Sequence, residues 1–208
     1  ELRTPLTSII GFIKGILDGV ITKDEEEKYL SIAYEEANRL KELTKDIVDV
    51  AKLESGNMKL NKEKFVLNNL VHDVYIELED MVKEKNLDFI LEEKDKDIEI
   101  NADKSRIRQV LINILNNSVK FTDKGEIVLT IEKSDGKAKI TVKDTGIGIQ
   151  KDKISYLFNK FYTANDYGNA TSGAGLGLNI VKTIIDMHNG SVNIESEVNK
   201  GTTVTVIL

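Results

Sequence analysis

From about Glu25 to Glu54 the sequence carries one long amphipathic helical pattern, and its apolar stripe is wider than a single partner helix can cover. Leu30, Ala33, Ala37, Leu40, Thr44, Ile47 and Ala51 fall on a near-heptad seam. Ile32, Leu43, Val50 and Leu53 broaden it. Upstream, Leu6, Ile9, Ile10, Ile13, Ile16, Leu17 and Val20 recur at helical spacing. Asp18-Gly19 and Thr22-Lys23-Asp24 between the two runs read as a turn. Two helices alone leave apolar surface in water, so the pattern predicts a helical hairpin that pairs with a second copy into a four-helix bundle. The single proline, Pro5, is tolerated in a first turn and would kink a helix that continued upstream.

Ser55-Gly56-Asn57 marks the expected boundary, giving domains over residues 1–55 and 62–208. Beyond it the pattern becomes mixed. A short strand near Phe65, a helix over about 68–85, strands around Leu87–Leu91 and Ile98–Asn101, and a helix over about 103–121 come first. A hairpin of strands (126–133 and 137–144) turns at Ser134-Asp135-Gly136. A helix over 175–188 and strands 191–196 and 202–208 close the chain. The hairpin and the last strand pair are antiparallel signals. The expected fold is therefore an all-α hairpin followed by an α+β two-layer sandwich, not a doubly wound sheet.

Composition removes several function classes. A net charge of −6 opposes binding to nucleic acid through its phosphates. The absence of cysteine excludes disulfides and thiol chemistry and suits a reducing compartment. The two histidines, His72 and His188, are far apart in sequence and do not suggest a zinc site. No apolar run approaches a membrane span, and no signal peptide is visible.

Three stretches suggest chemistry. In the helix RIRQVLINILNNSVKFT, Ile107, Val110, Leu111, Ile114, Ser118 and Phe121 form one face. Asn113, Asn117 and Lys120 form a polar stripe beside it. That stripe is either a solvated face or the wall of a polar pocket, in which an amide oxygen suits Mg²⁺ and an ammonium suits phosphate. DTGIGI, residues 144–149, ends a strand at Asp144; Gly146 and Gly148 let the backbone turn and approach a ligand. Its carboxylate can accept the exocyclic amine of adenine, or the motif is a plain Asx turn. SGAGLGLNIVKTII, residues 172–185, brings alternate glycines straight into an apolar helix. That arrangement presents free N–H groups and a positive helix end to an anion, though it matches neither the dinucleotide fingerprint nor the P-loop. Between the last two lies FNKFYTANDYGNATSG, a polar segment with Phe158, Phe161 and Tyr162 at its base. It reads as a hinged lid or as ordinary core at its aromatic end.

In this order, with KGTT at residues 200–203, these stretches resemble the sensor histidine kinases of two-component signalling over essentially the whole chain. The resemblance implies a dimerisation and phosphoacceptor hairpin followed by an ATP-binding catalytic domain of the GHKL (Bergerat) type. It implies ATP and Mg²⁺ as ligands, with Asn117 on the metal, Lys120 near phosphate and Asp144 on adenine. Asn113, Phe121, Gly146, Gly148, Ile149, Tyr162, Leu176 and Leu178 would line the nucleotide pocket. Gly173, Gly175 and Gly177 would shape its phosphate loop, and Thr203 would help close the adenine site. The opening ELRTPL resembles the family's HELRTPL segment. The position before Glu1 is then the expected phosphoacceptor histidine, Glu1 handles its other proton, and Thr4 positions a water for phosphatase action; helix capping is the plainer reading of Glu1 and Thr4. A homodimer through residues 1–54, a response-regulator receiver domain as partner and a cytoplasmic location follow from the same resemblance, with any membrane link through parts upstream.

Hydrolytic members of the superfamily carry a glutamate four residues before the Mg²⁺ asparagine; here that residue is Asn113, a poor general base, which favours transfer to a protein nucleophile over water. Thr163 stands where an arginine is common, and Ala174 where a hydroxyl is usual. These departures leave open a degenerate module that binds nucleotide and docks a regulator without phosphotransfer. His188 is expected at a helix C-terminus as a dipole partner, and His72 as structural or exposed.

Overall fold

The computed structural model describes residues 2–54, 59–164 and 175–208. The chain divides into two compact units, Glu1–Asn57 and Met58–Leu208. Glu1, the Ser55-Gly56-Asn57 boundary, Gly173, Ala174 and most of the expected lid lie outside the described residues.

The first unit is a helical hairpin of α1 (Arg3–Leu17) and α2 (Lys23–Glu54). α1 stops because Gly19 takes φ +69°, which lets the N–H groups of Asp18, Val20 and Ile21 turn back onto the carbonyls of Lys14 and Gly15. α2 starts two residues earlier than its hydrophobic pattern predicts. Thr22 O receives the N–H of Glu25, Thr22 Oγ1 donates to Glu25 Oε2 at 3.0 Å, and Asp24, Glu25 and Glu26 place negative charge in the first turn. Phe12 meets Tyr29 at 5.4 Å between ring centroids. Along α2 the expected seam divides. Ala33 is buried, whereas Leu30, Ala37, Thr44, Ile47 and Ala51 are exposed. No described helix is long and apolar enough to cross a membrane.

The second unit is an α+β layer. β1 (Glu63–Val66) pairs antiparallel with β3 (Glu99–Ala102) in a two-stranded sheet. The main sheet has the order β2-β4-β5-β7-β6, built from β2 (Asp88–Glu93), β4 (Glu126–Ser134), β5 (Lys137–Asp144), β6 (Ser191–Glu197) and β7 (Gly201–Ile207). All its pairings are antiparallel except that of β2 with β4. The β4–β5 turn uses Asp135 at φ +51° and Gly136 at φ +75°, the positive pair that a tight hairpin of this twist demands.

Helices α3 (Leu67–Glu84), α4 (Lys104–Phe121) and α6 (Gly177–Met187) pack on the sheet, and a short α5 (Lys151–Ile154) lies against β6. Strand alternation sorts the sheet faces. Ala138, Ile140, Val142, Val204 and Val206 are buried, whereas the intervening Lys139, Thr141, Lys143, Thr203 and Thr205 are not. Ile107, Leu111, Ile114 and Leu115 of α4 and Ile180 and Ile184 of α6 fill the space above the buried face, each worth roughly 1.5–3 kcal/mol of burial.

Candidate functional site

The site is built along α4. Its N-cap, Asp103, accepts the N–H of Arg106 at 3.2 Å, the Ser105 hydroxyl at 2.7 Å and the N–H of Asn61 at 2.9 Å. Burial opposes ionisation of this carboxyl, but these three donors hold its pKa below the usual carboxylate range. With the apolar face of α4 in the core, Asn113, Asn117 and Lys120 are left half-buried along one edge. Asn113 Nδ2 reaches the carbonyl of Gly177, the first residue of α6, at 3.4 Å. Lys120 Nζ lies 5.0 Å from the ring centroid of Phe121, which is exposed.

At the C-terminal end of that edge, where Ser118 lies, β5 delivers Asp144, which is 6% exposed. Its Oδ1 accepts the N–H groups of Gly146 and Thr202, both at 3.0 Å, and its Oδ2 accepts the Ser118 hydroxyl at 3.1 Å. Burial pushes its pKa up, and the three hydrogen bonds recover only part of that. A carboxylate offers about four acceptor sites. Three are taken here, which leaves Oδ2 able to receive one further donor. Thr122, just past α4, has no exposed surface. Its Oγ1 is the one buried side-chain polar atom among the described residues without a hydrogen-bond partner.

Residues 145–150 fold into a loop held at three points. Ile147 N–H donates to Phe121 O at 3.1 Å, Asn199 N–H donates to Ile147 O at 2.8 Å, and Ile149 N–H donates to Ser196 Oγ at 2.9 Å. Gly148 takes φ +65° and passes so close to the Glu197 carbonyl that a Cβ could not fit. Across the site Gly175 takes φ +67° and its carbonyl accepts the N–H of Phe161 at 3.0 Å. Tyr162 is half-buried, tilted against Tyr156 with ring centroids 5.7 Å apart. Leu176 is buried and Leu178 half-buried. Among the described residues no side chain caps the N-terminus of α6, whose N-cap is Leu176, so its first-turn N–H groups suit an anion.

The structure thus brings Asn113 to Gly177, Asp144 to Gly146, Phe121 to Ile147, and Tyr162 beside Gly175. It separates Thr203 from Asp144. Thr203 is in register with Lys143, on the sheet face opposite the buried one. The neighbouring Thr202 takes the place expected of it, with its N–H on Asp144 and its hydroxyl 2.9 Å from that of Ser196. From the sequence, Ser118 is legible only as core. A hydroxyl on an otherwise apolar face, needing a buried partner, is the signal for its role. His188 stands at the C-cap of α6. Nε2 accepts the Asp103 N–H at 3.0 Å, so the ring proton sits on Nδ1, 2.8 Å from Ile184 O. The imidazole ties the end of α6 to the start of α4. His72 is exposed on α3, and Thr4 is exposed on α1.

Two family descriptions match. "His Kinase A (phospho-acceptor) domain" covers residues 1–56, and "Histidine kinase-, DNA gyrase B-, and HSP90-like ATPase" covers residues 102–208. Among curated proteins the chain is similar to the sensor histidine kinase YclK of Bacillus subtilis, 37% identical over 97% of this chain and 43% of that protein. Among solved structures it is similar to the histidine kinase AdeS of Acinetobacter baumannii, with a TM-score of 0.82 and 26% identity over 100% of this chain and 96% of that one. It is also similar to the histidine kinase ThkA, solved in complex with the response regulator protein TrrA, with a TM-score of 0.81 and 30% identity over 100% of this chain and 58% of that one. The chain spans less than half the length of curated relatives such as YclK.

Proposed function

This chain belongs to the histidine kinases, and from that premise we propose that it is the kinase core of a two-component sensor. It binds ATP with Mg²⁺ between α4, the 145–150 loop and the start of α6. It passes the γ-phosphoryl group to a histidine immediately before Glu1, and from there to an aspartate on a response-regulator receiver domain. The observation that carries the reading is Asp144, a buried carboxylate with three fixed donors and one open acceptor position. That is what the exocyclic amine of adenine requires.

The residues divide the work along the edge of α4. Asp144 fixes the base, with Ser118 and the Thr202 N–H holding its carboxylate in place. Asn117 and Lys120 face the polyphosphate, and the uncapped first turn of α6 stabilises its charge. Among the described residues no group of three or more His, Cys, Asp or Glu could hold a metal. The donor set that fits Mg²⁺ is the Asn117 amide oxygen together with phosphate oxygens. When bound, the ion would neutralise charge developing on the phosphates. Asn113 has no general-base capacity, so attack by water is unassisted and a positioned imidazole nitrogen is the better nucleophile. In the transfer a P–N bond forms, the β–γ bridging P–O bond breaks, and ADP leaves. Thr4, exposed on α1, would place water for hydrolysis of the regulator's aspartyl phosphate, which releases inorganic phosphate. The exposed seam of α2 supports dimerisation through residues 1–54, and ATP use sets the working site in the cytoplasm.

The test is transfer of labelled phosphate. The chain beginning at Glu1 should bind ATP without labelling, and adding a histidine with a helical stretch before Glu1 should give acid-labile, alkali-stable incorporation. Labelling of His72 or His188 in the chain without that addition would displace the acceptor assignment. Binding without labelling in the extended chain would leave a nucleotide-binding, regulator-docking module.

A further inference from the structure

α4 ends without the usual closure. Its C-cap, Thr122, is extended at φ −112° and ψ 117°, so the last carbonyls are not closed by a left-handed turn. They are met instead from another element. Lys85, at the C-cap of α3, donates from Nζ to Val119 O at 2.8 Å and, at longer range, to Lys120 O and Thr122 O, both at 3.4 Å. An ammonium has three donors and a positive charge, so it satisfies orphan carbonyls and complements the negative helix end at once. The backbone around it is fixed. Asn86 takes φ +55°, Leu87 is buried with its N–H on Val82 O at 3.2 Å, and Asp88 N–H reaches Gly125 O at 2.9 Å.

The turn held by Lys85 carries much of the proposed nucleotide site. Ser118 meets Asp144, Lys120 belongs to the polar edge, and Phe121 O receives Ile147 N–H from the 145–150 loop. Thr122 Oγ1 has no partner and gives the turn no side-chain tether of its own. Resting on the ATP-site reading above, we propose that Lys85 is a positioning residue for nucleotide binding. It clamps the last turn of α4 so that Ser118, Lys120 and the 145–150 loop keep their places around the ligand without Lys85 touching it.

Lys85→Met should weaken ATP binding, read by calorimetry on the full chain with Mg²⁺, by about tenfold. Lys85→Arg, which keeps charge and donors, should recover to within about threefold of wild type. Amide exchange should quicken in residues 118–122 of the Met variant and stay unchanged in the β4–β5 hairpin. ATP affinity in Lys85→Met equal to wild type, or an Arg variant as weak as Met, overturns the proposal. A uniform rise in exchange across the unit would reduce Lys85 to a general stabiliser and also overturn it. Failure of the wild-type chain to bind ATP would sink the ATP-site reading itself, a distinct result. If the Met variant does not fold, Lys85→Leu removes the same donors and charge, and ATP affinity equal to wild type in it overturns the proposal equally.

Discussion

The two units are unfinished in opposite ways. In the hairpin the shortfall is apolar: Leu30, Ala37, Thr44, Ile47 and Ala51 of α2 are in water, and so are Leu6, Ile10 and Ile13 of α1. In the second unit the core itself is filled, although Ile76, Met81 and Phe121 are exposed at its surface. Leu111, Ile127, Ile140 and Ile184 are at most 1% exposed. What is unfinished there is polar. Asp144 is a buried carboxylate with an open acceptor site, α6 starts without a capping side chain among the described residues, and the Thr122 hydroxyl has no partner. Unmet hydrophobic surface calls for a helix from another chain, whereas unmet polar groups converging on a cleft call for a small, charged ligand. On the proposed reading one sequence carries an interface and a binding site, told apart by which kind of group is left wanting.

The largest effect should come from attacking the hairpin's shortfall. Replacing Leu30 and Ile47 with Asp places two charges on the uncovered seam. Homodimer dissociation, followed by sedimentation equilibrium, should rise roughly a thousandfold. A fragment over residues 59–208 should be monomeric and keep its ATP affinity. A double variant as dimeric as wild type would erase the contrast between the units.

Next in size is the polar shortfall at the phosphate end. Asn117→Ala should weaken Mg²⁺-dependent ATP binding roughly a hundredfold, the loss of a ligand or charge-assisted contact. The melting temperature should barely move, because Asn117 is half-buried on an edge and not in the core. Equal ATP affinity by calorimetry would remove Asn117 from the site.

Periodicity makes nearly every element legible, because helices and strands in both units bury one face at their own repeat. Asn113, Asn117 and Lys120 stand out for the same reason, as polar residues beside an apolar stripe. The errors come where a side chain's face depends on register with a distant strand. Nothing local separates Thr202 from Thr203; only the pairing of β5 with β7 sets Lys143 opposite Thr203 and brings the Thr202 N–H to Asp144. Ser118 is faint in the sequence, and Lys85 silent, for a related reason. Ser118 has the pattern of a tolerated small residue in a core face. Lys85 has the pattern of a surface lysine until α3 and α4 come together.

The smallest effect, and the finest test of the comparison, is Asp144→Asn. Asn can keep the N–H groups of Gly146 and Thr202 on its oxygen, but its amide then faces the site as a donor where the carboxylate offered an acceptor. ATP affinity should fall, by about tenfold at neutral pH. Stability should move the other way. Because burial raises the folded pKa of Asp144 above the ordinary 3.8, the fold favours the neutral acid. The stability this group contributes is fully present below its unfolded value and is lost as pH rises through the folded one. Above that window the wild type carries a buried charge that the Asn variant lacks. The variant's melting temperature should then exceed wild type by about 2–4 °C for each 1 kcal/mol relieved, and the gap should close in acid. Wild-type nucleotide affinity should weaken over the same window as Asp144 takes a proton, while the affinity of the variant stays flat. A variant that melts below wild type at pH 7 would mean that the three hydrogen bonds outweigh burial, and that this end of the site is polar-complete without a ligand.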